Sequence, residues 1–175
     1  MTTYKAIKGK TVQSLASDID NASGEGQIWY NTTDGDYNTI LSQGVWITTS
    51  SMNTARRRLA GCGTQAAAIA FGGYVSGPVT AGESWDGASW TESGDLNTAR
   101  HSIARGGTQT AGLASMGGGP GPADTTSTEE YNGTSWTAVT SSPTATQKLA
   151  GTGTQTAQIS MGGTTDNSNF VTESY

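Results

Sequence analysis

Apolar residues in this chain fall in short clusters separated by Gly, Thr, Ser and Asn. Ile69 and Phe71 stand two apart, as do Ile159 and Met161, so each pair lies on one face of an extended strand. The pattern predicts an all-β protein of short strands and tight turns. It also repeats. Gly-Thr-Gln occurs at 63–65, 107–109 and 153–155, and a Gly-Gly pair occurs at 72–73, 117–118 and 162–163. After each pair come a variable segment and then Glu83-Ser-Trp85, Glu129-Glu-Tyr131 or Glu173-Ser-Tyr175. A second aromatic follows in the first two copies, as Trp90 and Trp136, and Asn-Thr-Ala-Arg precedes each of these copies at 53–56 and 97–100.

Each unit reads as four strands, in the first copy near 58–62, 66–71, 81–85 and around Trp90. Asp86-Gly87 and Asn132-Gly133 supply the positive φ angles of hairpin turns. The pairs Gly72 and Gly73, Gly117 and Gly118, and Gly162 and Gly163 remove Cβ atoms where a backbone or an aromatic ring must come close. In the middle copy Leu113 and Met116 are three apart, and matching the Gly pairs leaves one extra residue after Gln109. A β-bulge is expected there. A period near 45 with four strands per unit is that of a propeller blade.

These motifs resemble the kelch repeat over residues 46–175, in units 46–96, 97–142 and 143–175. The wording, with Asn-Thr-Ala-Arg, Gly-Thr-Gln, Gly-Gly and Asp/Asn-Gly-x-Ser-Trp, is similar to kelch-like virion proteins of marine bacteriophages. Tyr4-Lys-Ala-Ile-Lys-Gly9 with Val12-Gln13 matches an opening common among them, and Gly26-Gln-Ile-Trp-Tyr-Asn-Thr32 resembles a phrase of phage fibre proteins. The resemblance implies four-stranded antiparallel blades and structural roles for Trp46, Trp90, Trp136, Arg56 and Arg100. The third unit departs from it. Thr146 replaces the arginine and Pro143 the asparagine, so the arginine is not needed in every unit.

Three blades cannot close a ring. The last unit shows no motif for a fourth strand before Tyr175, whereas residues 44–48, around Trp46, read as a fourth strand with no partners ahead of it. Two readings stay open. The chain is part of a longer protein, or chains complete one another as a homo-oligomer. Residues 26–45 alternate as a β-hairpin turning at 33–35. Residues 1–25, polar and lysine-bearing, read either as a flexible tail or as an arm docking to other virion proteins through Tyr4, Lys5, Ile7, Lys8 and Val12.

Composition narrows the chemistry. Gly, Thr and Ser number 25, 29 and 19, while charged residues are 13% and net charge is −5. With a pI near 4.6, no nucleic-acid partner is expected. No apolar run reaches the roughly 18–20 residues of a membrane span, and the first twenty residues lack the apolar core of a signal peptide. Cys62 is the only cysteine, so no intrachain disulfide forms, and its glycine neighbours suggest a small buried side chain.

His101 is the only histidine, which excludes a two-histidine copper site and suits a structural role at a repeat boundary. Asp34, Asp36 and Asn38 alternate as in a calcium loop, but the glycine is misplaced and Val45 stands at the twelfth position, so a turn is expected. Glu83, Glu129 and Glu173 recur once per unit, too dispersed for an acid/base pair, and are expected to accept backbone N–H bonds. No enzyme, metal or cofactor is expected. The loops at 74–80, 119–126 and 164–170 share no sequence, and loops on a constant scaffold carry recognition. Tyr74, Asp124, Asp166, Asn167, Asn169 and Phe170 are the candidate ligand residues, with a cell-surface glycan as the expected ligand and the phage particle as the expected location. The alternatives are a purely architectural decoration subunit or a cellular kelch adaptor.

Overall fold

The computed structural model describes residues 13–15, 28–39, 48–121, 123–165, 169, 170, 172 and 174. The arm residues Tyr4, Lys5, Ile7, Lys8 and Val12, together with Trp46, Asp166 and Asn167, lie outside them. The described residues form strands and turns without a helix, in two units, 1–48 and 49–175.

In the first unit β2 (Ile28–Asn31) and β3 (Tyr37–Thr39) make an antiparallel hairpin, with Tyr30 opposite Tyr37 and their rings 5.2 Å apart. The Asn31 side chain accepts the N–H groups of Thr33 and Asp34 and donates to the Asp34 carboxylate at 3.0 Å. That acidic segment is therefore a turn. β1 (Gln13–Leu15), from the segment read as an arm, pairs in parallel with β2.

The second unit begins with two antiparallel four-stranded sheets. β4 (Ala60–Gly63), β5 (Ala68–Phe71), β6 (Gly82–Trp85) and β7 (Trp90–Ser93) lie in that order. β8 (Ala104–Gly107), β9 (Gly112–Ser115), β10 (Thr128–Tyr131) and β11 (Trp136–Val139) repeat it. In the third copy β12 (Ala150–Gly153) pairs with β13 (Gln158–Met161), Met161 bridges to Ser174, and β14 (Thr164–Thr165) pairs with β15 (Asn169–Phe170). Among the described residues no closed ring is formed.

Local chemistry makes the turns. Thr64, Thr108 and Thr154 each donate their N–H to the carbonyl three residues on, at 2.8–3.1 Å. Asp86 accepts the N–H groups of Ser89 and Ala88, which hold its carboxyl below the usual range, and Asn132 caps Thr134 and Ser135 in the same way.

The middle copy has no bulge. β9 pairs in unbroken register with both β8 and β10, and Met116, at φ 59, stands where Gly72 (φ 62) and Gly162 (φ 68) stand. Gly117 then matches Gly73 and Gly163, and Gly118 takes the place of Tyr74 and Thr164 in the bridges to His101, Arg57 and Gln147. Counting from the Gln of each Gly-Thr-Gln, the copies contain the same number of residues up to this point, so the extra residue expected from the Gly pairs does not exist.

The sheets stack face to face. Ile69 and Phe71 of the first sheet bury against Ile103, Ala114 and Trp136 of the second, with Phe71 and Trp136 ring centres 4.7 Å apart. Full burial of a side chain such as Phe71 contributes about 1.5–3 kcal/mol. The innermost strands β4, β8 and β12 lie side by side, and a Cβ at Gly151 would come within 2.5 Å of the Arg105 nitrogen, so only glycine allows that approach.

The Asn-Thr-Ala-Arg segments lock onto the third strand of each sheet. Glu83 accepts the N–H groups of Asn53 and Thr54 and meets Arg56 at 3.2 Å. Glu129 does the same for Asn97, Thr98 and Arg100, the last at 2.8 Å. Thr146 occupies the arginine position in the third copy and is buried.

Candidate functional site

The loops joining second and third strands leave the first two sheets on a shared stem. Gly72 donates its N–H to Ala81 and Val79 to Gly73; Met116 likewise donates to Ser127 and Thr125 to Gly117. Beyond the stem the copies diverge. Tyr74 bridges to Pro78 in a tight loop, Gly118 bridges to Asp124 in a loop two residues longer, and the third copy builds the β14–β15 hairpin. The framework is constant and the tips differ.

Tyr74 is the most elaborately held of the candidate residues. The Arg57 guanidinium lies 5.0 Å above its ring, that of Arg58 5.9 Å, and His101 meets it edge-on at 5.4 Å. His101 is buried, with Nδ1 3.1 Å from Ser102 Oγ. Burial, then the positive charge of Arg58 and Lys148, holds its pKa below the ordinary 6.5, and Asp124 opposes them. Tyr74, His101 and Asp124 thus come together with exposed Arg57, Arg58 and Lys148. Gly118 makes this possible, because a Cβ there would lie 2.5 Å from His101 Cε1. Asn169 and Phe170 are exposed on β15, Phe170 at 89%, and Val75 is 50% exposed in the first loop.

Sequence reasoning missed the partners of Tyr74. It also missed three residues with positive φ outside glycine, Arg58, Ser102 and Lys148 at φ 53–61. Their spacing is that of Gly-Thr-Gln, and this was the available signal. Ser102 donates its N–H to the Arg58 carbonyl at 2.9 Å and Lys148 donates to the Ser102 carbonyl at 3.0 Å, so the column joins successive sheets.

Other chemistry is committed to the framework. Glu83 and Glu129 are buried in ion pairs. Cys62 Sγ donates to the Thr108 carbonyl at 3.3 Å, and burial pushes its pKa up to about 11 although Arg105 acts against it. A groove beside Ser84, Glu92, Thr110 and Tyr131 separates the first two sheets, but the Gln109 amide in its wall is bonded to the Ala68 and Trp85 carbonyls. Among the described residues no three His, Cys, Asp or Glu side chains gather to hold a metal ion. Comparison with protein-family models returns no match, and comparison with curated proteins returns none either.

Proposed function

We propose that residues 46–175 are kelch-type propeller blades of a non-enzymatic bacteriophage virion protein, a tail fibre or surface appendage whose loops recognise a host-surface glycan. In this reading the first 25 residues dock the chain to other virion proteins. The observation that carries it is the contrast within one chain. Turn bonds recur in all three copies and strand registers and carboxylate locks in the first two, while the loops between second and third strands differ in length, sequence and bonding. Tyr74 on its cationic cluster and exposed Phe170 supply aromatic surfaces, and Asp124 and Asn169 supply polar groups of the kind that bind sugar hydroxyls.

The test is binding of the purified chain to an array of bacterial surface glycans, beside Tyr74→Ala and Phe170→Ala. The reading expects a restricted set of bound glycans and loss of binding in at least one variant that keeps its fold. No glycan bound by the unaltered chain, with copurification in particles, favours the purely architectural subunit. Failure to copurify with particles, with capture of a cellular protein, favours the adaptor.

A further inference from the structure

We infer that the cluster around Tyr74 binds an anionic group of a surface polysaccharide, a carboxylate or a phosphate, through the guanidinium groups of Arg57 and Arg58 with the charge of Lys148 beside them. This rests on the reading that the loops bind a glycan, and it specifies the kind. Repetition builds the site. Arg57, His101 and Gln147 occupy one position in the three copies and bridge to Tyr74, Gly118 and Thr164, so only the first copy sets an aromatic ring there. Arg58, Ser102 and Lys148 occupy the next position, joined by Ser102 N–H to the Arg58 carbonyl at 2.9 Å and Lys148 N–H to the Ser102 carbonyl at 3.0 Å. Every side chain in these two rows is a cation or carries an N–H or O–H donor, and none is a carboxylate.

The chain is acidic overall, at −5, yet its exposed positive charge concentrates here. Among the described basic residues, Arg56 and Arg100 are held in buried ion pairs and Arg105 is exposed on β8. The others, Arg57, Arg58 and Lys148, are exposed and share this cluster. The Tyr74 ring holds both guanidinium groups, 5.0 and 5.9 Å from its centre, without offering them an acceptor oxygen. Among the described residues neither group donates a hydrogen bond or pairs with a carboxylate. Arg58 and Lys148 both act on the His101 ring after burial has lowered its pKa, and Asp124 is the carboxylate that opposes them.

That arrangement selects an anion over a neutral sugar. Like charges gathered on one surface repel, and a bound anion relieves the repulsion, whereas sugar hydroxyls leave it in place. A guanidinium offers a planar fork of N–H donors that matches a carboxylate or a phosphate with two parallel bonds. Two such forks on one ring are partly ordered before a ligand arrives, so less side-chain freedom is lost on binding. The net negative charge of the rest of the chain disfavours a long uniform polyanion such as a nucleic acid, and favours an acidic group set among neutral sugars. Ser102 and Asp124 then lie in the same cluster to bond the hydroxyls of those sugars.

The test is binding of the full chain to neutral polysaccharides, to uronate-bearing and phosphate-bearing bacterial polysaccharides, and to an oligonucleotide, at low and at high salt. Binding to one or both acidic polysaccharides is expected, weakening as salt rises, and which of them binds separates carboxylate from phosphate. Arg57→Ala and Arg58→Gly should each weaken it roughly 10- to 100-fold, the worth of a hydrogen bond to a charged group. Both should keep the near-ultraviolet circular dichroism of the unaltered chain, because the side chains are exposed and glycine suits φ 56. Arg105→Ala removes the same charge from β8 and should bind as the unaltered chain does. Binding to neutral polysaccharides alone would overturn the inference and leave the glycan reading standing, whereas binding to no polysaccharide would overturn both. Acidic binding that survives both arginine variants, falls equally in Arg105→Ala, or is matched by the oligonucleotide would also overturn the inference.

Discussion

Arg100 and Glu129 meet at 2.8 Å with both side chains out of water, and the same carboxylate accepts the N–H groups of Asn97 and Thr98. Burial pulls the Arg100 pKa down and Glu129 opposes it, so each charge depends on the other. Removing one partner of a buried pair leaves an uncompensated charge and costs about 3–5 kcal/mol. Glu129→Gln should therefore destabilise by that amount in denaturant unfolding. Arg100→Met combined with Glu129→Gln should recover part of the loss, as the buried Thr146 at this position in the third copy suggests. Additive losses would show that the two side chains are not coupled.

Met116 inverts the usual ranking of alanine and glycine. At φ 59 it is in the left-handed region, where a non-glycine residue costs roughly 1–2 kcal/mol. Its side chain, buried with Ala104 and Leu149, offsets that cost. Met116→Ala and Met116→Gly lose the same packing, but only glycine relieves the backbone. Met116→Gly is expected to be the more stable of the two by about 0.5–1 kcal/mol, after allowing for its greater unfolded-state freedom. Thermal unfolding of both variants decides it; the alanine variant being more stable would contradict the left-handed assignment.

His101 makes stability depend on pH. Its folded pKa lies below the ordinary 6.5, so on acidification the unfolded chain takes up the proton first. This contribution is intact above pH 6.5 and is lost as pH falls from there toward the folded value. The melting temperature should fall more steeply below pH 6.5 in the unaltered protein than in His101→Gln. Parallel curves would mean that the ring titrates alike in both states.

Cys62 should be slow to alkylate. Its pKa of about 11 against an ordinary 9.0 leaves roughly a hundredfold less thiolate near pH 8 than in the unfolded chain. Iodoacetamide should modify the folded protein slower by about that factor. Equal rates would place the thiol in water.

The sequence by itself determined the all-β class, the strands of the first two copies and the period, because these rest on local physics. Thr and Asx side chains close turns over three or four residues, glycine permits positive φ, and alternate residues share a face. The loops that vary were legible for the same reason. What only the tertiary structure decided was pairing across distance and the true alignment of the middle copy. Glu83 and Glu129 were read as acceptors of backbone N–H bonds, but their arginine partners lie 27 and 29 residues back. Gln109 and Gln155 read as turn residues, yet their amides join neighbouring sheets. A left-handed methionine in a glycine position breaks the local rule, so matching Gly117-Gly118 to Gly72-Gly73 was the natural reading. Burial of Met116 against Ala104 and Leu149 outweighs that local preference, and such burial exists only once the sheets have stacked.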